Sequence, residues 1–143
     1  MTKDHSKAPF PLPDSYLSKH LGFHTELVEP GHTRVSFKIQ PEHRNITGVV
    51  HGGLLMAVLD TLMGHAVYTH LGDPAVRFGT SQMTTHFLRV VAKGTLTGEG
   101  HVVAQSEKYV MAEAEIRSEG GDLVATAEAQ FTTMRRELLE EVL

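Results

Sequence analysis

The sequence predicts an α+β domain in which an antiparallel β-sheet wraps around one long central helix. Three observations lead there. A stretch over 51–70 is apolar nearly all round, with Leu54, Leu55, Val58, Leu59, Leu62, Met63, Ala66 and Val67 leaving no clean polar face, which is the pattern of a buried helix. Two strand-like segments precede it and four follow, several with the period of two expected of half-buried strands. Short turns join them, so neighbouring strands should pair antiparallel and need one face covered, and 51–70 is the only element able to cover it.

Residues 1–13 carry Lys3, Asp4 and several prolines without an apolar run, and read as a flexible N-terminal segment with no secretory signal, so a cytoplasmic location is expected. The domain is expected over 14–134. Its first element is a short helix over 14–22, with Asp14 or Ser15 as cap and Gly22 as stop. A first strand is expected over 23–28, and Glu29-Pro30-Gly31-His32 is a turn. Val35, Phe37 and Ile39 then alternate with Arg34, Ser36 and Lys38. A loop over 41–50 leads into the central helix, which Leu71-Gly72-Asp73-Pro74 ends.

The Thr-rich segment 76–91 suits a strand better than a helix. In the next strand Leu96, Gly98, Gly100 and Val102 alternate with Thr95, Thr97, Glu99 and His101. Val110, Ala112, Ala114 and Ile116 mark another, and after Glu119-Gly120-Gly121-Asp122 a last strand follows over 123–132. The alanines of these last two strands would let the sheet approach the helix closely. Residues 135–143 read as a helical turn or a tail.

Composition narrows the function. At 143 residues, 41% apolar and 21% charged, the chain can bury a real core. A net charge of −4 favours neither nucleic acid nor an anionic membrane as partner. The stretch 49–71 is interrupted by His51, Asp60, His65 and His70, which argues against a membrane span. The absence of cysteine excludes disulfides, zinc–thiolate sites and a cysteine nucleophile. His65 and His70 are five apart, not the four that aligns two ligands on a helix, so no metal is expected. There is no Gly-x-x-x-x-Gly-Lys phosphate loop and no Gly-x-Ser-x-Gly elbow.

The stretch Asn45-Ile46-Thr47-Gly48-Val49-Val50-His51-Gly52-Gly53 carries the chemistry. Gly52 and Gly53 open the helix, where unpaired N–H groups can meet a negative atom, and Gly52 N–H is a candidate oxyanion donor. The same glycines would also serve close packing. Asp60 is the only acidic residue between Glu42 and Asp73 and sits among apolar neighbours, so it is a candidate general base or nucleophile, or else a carboxylate capping a nearby loop. His51 and Asp60 are nine residues apart, about 13 Å along a helix and on opposite faces. If both are catalytic, the site must join two subunits of a two-fold dimer.

The spacing Asn-x-x-Gly-x-x-His-Gly-Gly-x6-Asp, with Thr80 and Phe87-Leu88-Arg89 on the following strand and the Gly-Gly turn before Leu123-Val124-Ala125, resembles the hotdog-fold acyl-CoA thioesterases of the phenylacetate-pathway (PaaI-like) family over roughly 20–134. Val90 stands where that family often has proline. The resemblance implies the hotdog fold, an acyl-CoA substrate, no cofactor, and the same site shared between subunits of a homodimer or homotetramer. It also implies that Asn45 and His51 shape the loop and orient the carbonyl or the attacking water, and that the Thr80 hydroxyl assists the carboxylate. Leu55, Leu59, Met63, Met83 and Phe87, beside Gly53, are expected to line a pocket for an aryl or medium-chain acyl group, and Arg89 and Lys108 are candidates for the CoA phosphates. Two alternatives stand beside thioester hydrolysis: a non-catalytic acyl-CoA binding or sensing protein, and a hydratase or dehydratase on the same fold.

Overall fold

The computed structural model describes residues 12–134 and residue 141, so the expectations for 1–11 and for most of 135–143 lie outside the described residues. Helix α1 (Tyr16–Leu21) is capped by Ser15, whose Oγ accepts the Ser18 N–H at 3.0 Å. Strands β1 (Thr25–Glu29) and β2 (His32–Lys38) form a hairpin, and a 3-10 turn (Pro41–His43) leads through a loop to helix α2 (Gly52–Leu71). Strands β3 (Arg77–Phe87), β4 (Thr95–Gln105), β5 (Tyr109–Arg117) and β6 (Leu123–Met134) are the remaining elements among the described residues. All six strands belong to one antiparallel sheet in the order β1-β2-β4-β5-β6-β3, so β3 lies at an edge although four strands separate it from β1 in space.

The expected order of elements is therefore found, with three adjustments of length. Strand β3 ends at Phe87 rather than near Val91, because the chain turns off there and Val91 instead accepts the Val50 N–H at 2.8 Å. Strand β4 runs on to Gln105, since β5 continues to pair with it past a bulge between Val102 and Ala104. The first strand starts at Thr25, two residues later than expected.

One face of the sheet holds α2. Val35, Phe37, Leu96, Val110, Ala112, Ile116, Ala125, Ala129 and Phe131 point at Leu54, Leu55, Val58, Leu59, Leu62 and Met63 and form the core with them. The closest approach is to β4, where Gly98 and Gly100 lie under the helix. A Cβ on Gly100 would stand 2.8 Å from the Leu62 backbone carbon and oxygen, which cannot step aside. The Thr33 hydroxyl donates to that same Leu62 carbonyl at 2.7 Å and ties β2 to the helix.

Helix α2 is not buried all round, contrary to its composition. Met56 is exposed, and Ala57, Asp60, Thr61, Gly64, His65 and Tyr68 are only half-buried. These positions recur at three- and four-residue intervals, so they form one stripe along the helix that the sheet does not cover.

A bulge in β3 decides what faces that stripe. The pairing of β3 with β6 slips between Thr80 and Gln82, leaving Ser81 as the extra residue, with its hydroxyl donating to the Gln130 carbonyl at 3.0 Å. Alternation therefore changes phase at Ser81. Thr80 pairs with Phe131, Met83 with Ala129, Thr85 with Ala127 and Phe87 with Ala125, so all four share the helix side of the sheet with their buried partners.

Candidate active site

The start of α2 is built from behind. The His43 ring is 1% exposed, and its Nδ1 accepts the Gln40 N–H at 2.9 Å, so Nε2 carries the proton and donates to the Leu21 carbonyl at 2.5 Å. The His43 carbonyl in turn accepts the His51 N–H at 2.9 Å. Sequence reasoning missed this histidine, because only the fold brings Leu21 to it.

The loop before the helix is held by Asn45. Its Oδ1 accepts from the Thr47 N–H (3.0 Å), the Thr47 hydroxyl (2.7 Å) and the Val49 N–H (3.3 Å), and its backbone N–H donates to the Val49 carbonyl at 2.7 Å. His51 is the N-cap of α2, with Nδ1 accepting the Gly53 N–H at 2.8 Å. A Cβ on Gly53 would come 2.9 Å from that Nδ1, so a side chain there would displace the cap. The N–H of Gly52, the first helical residue, has no partner among the described residues. Against Gly52 lies the Phe87 ring, 3.4 Å from where a Cβ would stand.

Two turns further on, Asp60 faces β3 from the uncovered stripe. Its Oδ1 accepts the Thr80 hydroxyl at 2.6 Å, a short charge-assisted bond that leaves Oδ2 free of protein partners among the described residues. Asp60 is half-buried rather than enclosed, because it opens onto a cavity of 290 Å³ between α2 and the first half of β3. Thr61, Gly64, His65, Tyr68, Phe78 and Phe131 are among the residues that line it. The rings of Phe78 and Phe131 meet edge to face, 5.9 Å apart. Burial is the main cause that pushes the His65 imidazole below its ordinary value of 6.5; nearby Asp14 opposes this and His24 adds to it. His65 also hydrogen-bonds Thr25 through Nδ1.

The other residues singled out from sequence are distributed as follows. Leu55, Leu59 and Met63 are closed in the core at 4%, 0% and 0% exposure and do not line the cavity beside Asp60. Helix residues on the opposite side, Thr61, Gly64, His65 and Tyr68, take that place, because the sheet lies against the leucine face. Met83 is half-buried, and Phe87 is exposed beside Gly52. Arg89 follows β3 and pairs with Asp122 at 3.6 Å. Lys108 sits in the β4–β5 turn, where its carbonyl accepts the Thr133 N–H at 3.0 Å, beside the Phe78 end of β3. Arg89 and Lys108 thus mark opposite ends of that strand, about 30 Å apart within one chain.

One further cluster lies on the other face of the sheet. His32, Glu99 and His101 bring their ligand atoms within 4.8 Å of one another. Helix spacing could not reveal it, since two of the three are alternate residues of one strand and the third comes from its neighbour.

A family model described as the thioesterase superfamily matches residues 47–125, more than half of the chain and the span from the loop before α2 to the first residues of β6. A protein of Saccharolobus solfataricus that carries a provisional esterase name is 29% identical over 108 residues, 76% of this chain and 76% of its own. Among solved structures, the PaaI protein of the phenylacetic acid degradation operon of E. coli superposes with a TM-score of 0.76 at 23% identity, over 85% of this chain and 86% of its own. A thioesterase-type protein of Streptococcus pneumoniae, solved with coenzyme A, superposes with a TM-score of 0.72 at 22% identity, over 80% of this chain and 88% of its own. These two likenesses establish the hotdog fold.

Proposed function

This chain belongs to the thioesterase superfamily and is a hydrolase of thioesters; on that premise we propose that it is a PaaI-like enzyme cleaving an aryl or medium-chain acyl-CoA to the free acid and CoA, at a site made of Asp60 from one subunit and the α2 start of another. The observation that carries the reading is the Asp60–Thr80 pair at the mouth of an aromatic-lined cavity, two helical turns from the open Gly52 N–H.

In this reading the acyl group enters the cavity beside Phe78 and Phe131. Thr80 holds Oδ1 and aims Oδ2 either at a water, from which it takes a proton, or directly at the thioester carbon. The partner's Gly52 N–H, at the positive end of α2, receives the carbonyl oxygen as it becomes an oxyanion. When water attacks, the carbon–sulfur bond breaks and the proton taken up by Asp60 passes to the CoA sulfur, which leaves as thiol. When Asp60 attacks directly, CoA leaves as thiolate and takes a proton from solvent, and the mixed anhydride left on Asp60 is hydrolysed by water to the free acid and the carboxylate. No metal or cofactor takes part.

Two features support a partner subunit. The free edge of β3 and the uncovered stripe of α2 lie together, and Met56, Phe87, Leu88 and Val90 expose apolar surface beside them. A two-fold axis across β3 would also set Arg89 of one subunit near Lys108 of the other, where both could reach one CoA. The test is thiol release from a panel of aryl- and alkyl-CoA thioesters. Turnover of one class is expected; binding of acyl-CoA without any hydrolysis would overturn the reading in favour of a binding or sensing protein.

A further inference from the structure

The sheet has a second chemical surface, on the side away from α2. In β4, the odd positions Glu99 and His101 point outward while Gly98 and Gly100 lie beneath Leu62. In β2, His32 and Arg34 point outward while Thr33 and Val35 are buried. Register then places His32 directly opposite His101 and Arg34 opposite Glu99. Two imidazoles and a carboxylate are thereby fixed on three neighbouring outward positions of two paired strands, whose backbone cannot easily separate them.

We propose that His32, Glu99 and His101 form a binding site for a divalent transition-metal cation, of which zinc is the best match. Each residue offers one ligand atom, and these lie within 4.8 Å of one another. Two imidazole nitrogens with one carboxylate suit zinc and its neighbours in the first transition row, whereas magnesium and calcium prefer oxygen alone.

Three details of the site favour a cation. His32 Nε2 is buried yet makes no hydrogen bond among the described residues; it stands 3.4 Å from Glu99 Oε1 without the alignment of one. A buried nitrogen left in that state normally has a partner. Arg34 Nε and Nη2 both donate to Oε1 of Glu99, at 3.2 and 3.1 Å, which orients the carboxylate and leaves Oε2 for a ligand bond. The neighbouring 450 Å³ cavity is lined by Glu99, Glu113, Glu115 and Glu128 together with His86 and His101. Arg117 pairs with Glu115 at 3.1 Å, while Glu113 and Glu128 have no cation paired to them among the described residues, so the surroundings stay negative despite the two arginines.

Loading requires one movement. The His32 and His101 rings are stacked, with centroids 4.0 Å apart and planes 22° from parallel, an arrangement in which one ion cannot lie in both ring planes. His101 is exposed, and rotation about its side-chain bonds brings its nitrogen toward the about 2.0–2.1 Å bonding distance. Glu113, the cross-strand partner of His101 on β5, stands where it can supply a fourth ligand or hold a bound water.

The site is separate from Asp60, which belongs to the helix on the other face, so its test does not depend on thioester hydrolysis. The full-length protein, stripped by a chelator and dialysed, is titrated with zinc in competition with a chromophoric chelator. One zinc per chain is expected at micromolar affinity or tighter. His101→Gln and Glu99→Gln, both outward-facing changes, should each weaken binding by about tenfold or more, with melting temperatures without metal close to that of the parent. His20→Gln and His24→Gln, elsewhere on the surface, should leave binding unchanged. At the same zinc concentration, the melting temperature of the parent should rise clearly more than that of His101→Gln. Absence of one-to-one binding in the parent, or binding unmoved by both His101→Gln and Glu99→Gln, would overturn the proposal.

Discussion

Replacing Asp60 by Asn separates chemistry from structure at this site. The amide keeps the shape of the carboxylate and can still accept the Thr80 hydroxyl that now stands at 2.6 Å, but it is neither base nor nucleophile. Loss of such a group typically costs ~10²–10⁴ in rate, or about 2.7–5.5 kcal/mol at 1.36 kcal/mol per tenfold. That cost should fall on kcat with little change in KM. The second parent for the experiment is Gly52→Pro. Gly52 is the first helical residue, where proline fits, and His51 before it has φ −66° and ψ 131°, which a following proline accepts. An added Cβ would meet the Phe87 ring at 3.4 Å, an ordinary contact, so the substitution chiefly removes the N–H. Each parent should be inactive as a homodimer. In a randomly reassorted mixture half the dimers are mixed, each with one intact site of two, giving about a quarter of wild-type activity. Thiol release measured on mixtures unfolded and refolded together, with mixed dimers verified by mass spectrometry, is the assay. Near-normal kcat in Asp60→Asn, or no recovery in verified mixed dimers, would refute the shared site.

Thr80→Val should lower kcat by roughly tenfold by removing one charge-assisted bond to Asp60, while Thr80→Ser recovers most of it in the same assay. Gly100→Ala should destabilise the fold by about 1–3 kcal/mol, since its Cβ would press on the Leu62 backbone at 2.8 Å, and thermal unfolding should fall by on the order of 5–10 °C. The lowered pKa of His65 means that below its ordinary value of 6.5 the unfolded chain binds a proton that the folded chain resists. That share of stability is present above 6.5 and is lost as the pH falls below it. The fall in melting temperature from pH 7 to 5 should accordingly be shallower in His65→Gln. Acyl-CoA hydrolysis should survive exhaustive chelation by EDTA, because neither Asp60 nor Gly52 needs a metal in the proposed chemistry; a loss restored by zinc would contradict it.

Much of this molecule was legible in one dimension. The all-round apolar character of 51–70 identified the helix that the sheet enfolds, and the alternation around Val35, Leu96, Ala112 and Ala127 identified the strands and their inner faces. His51-Gly52-Gly53 and Asp60 could be read as a helix start and a carboxylate on opposite helix faces because helical geometry follows from residue count alone. Only the tertiary structure decided the rest. Periodicity averages over a helix and could not tell that the stripe from Ala57 through Asp60 to Tyr68 stays half open while Leu55, Leu59 and Met63 are sealed in the core. Strict alternation would have put Thr80 and Met83 on opposite faces; the extra residue at Ser81, fixed by pairing with β6, turns both toward the helix and lets Thr80 reach Asp60. His32 meets His101 and Glu99 through β2–β4 register, a property of two strands separated by the whole central helix. Local periodicity is set by each segment's own backbone geometry, whereas bulges and cross-strand neighbours are set by partners distant in sequence, which is why the chain alone announced its elements but not the side-chain pairs that give them chemistry.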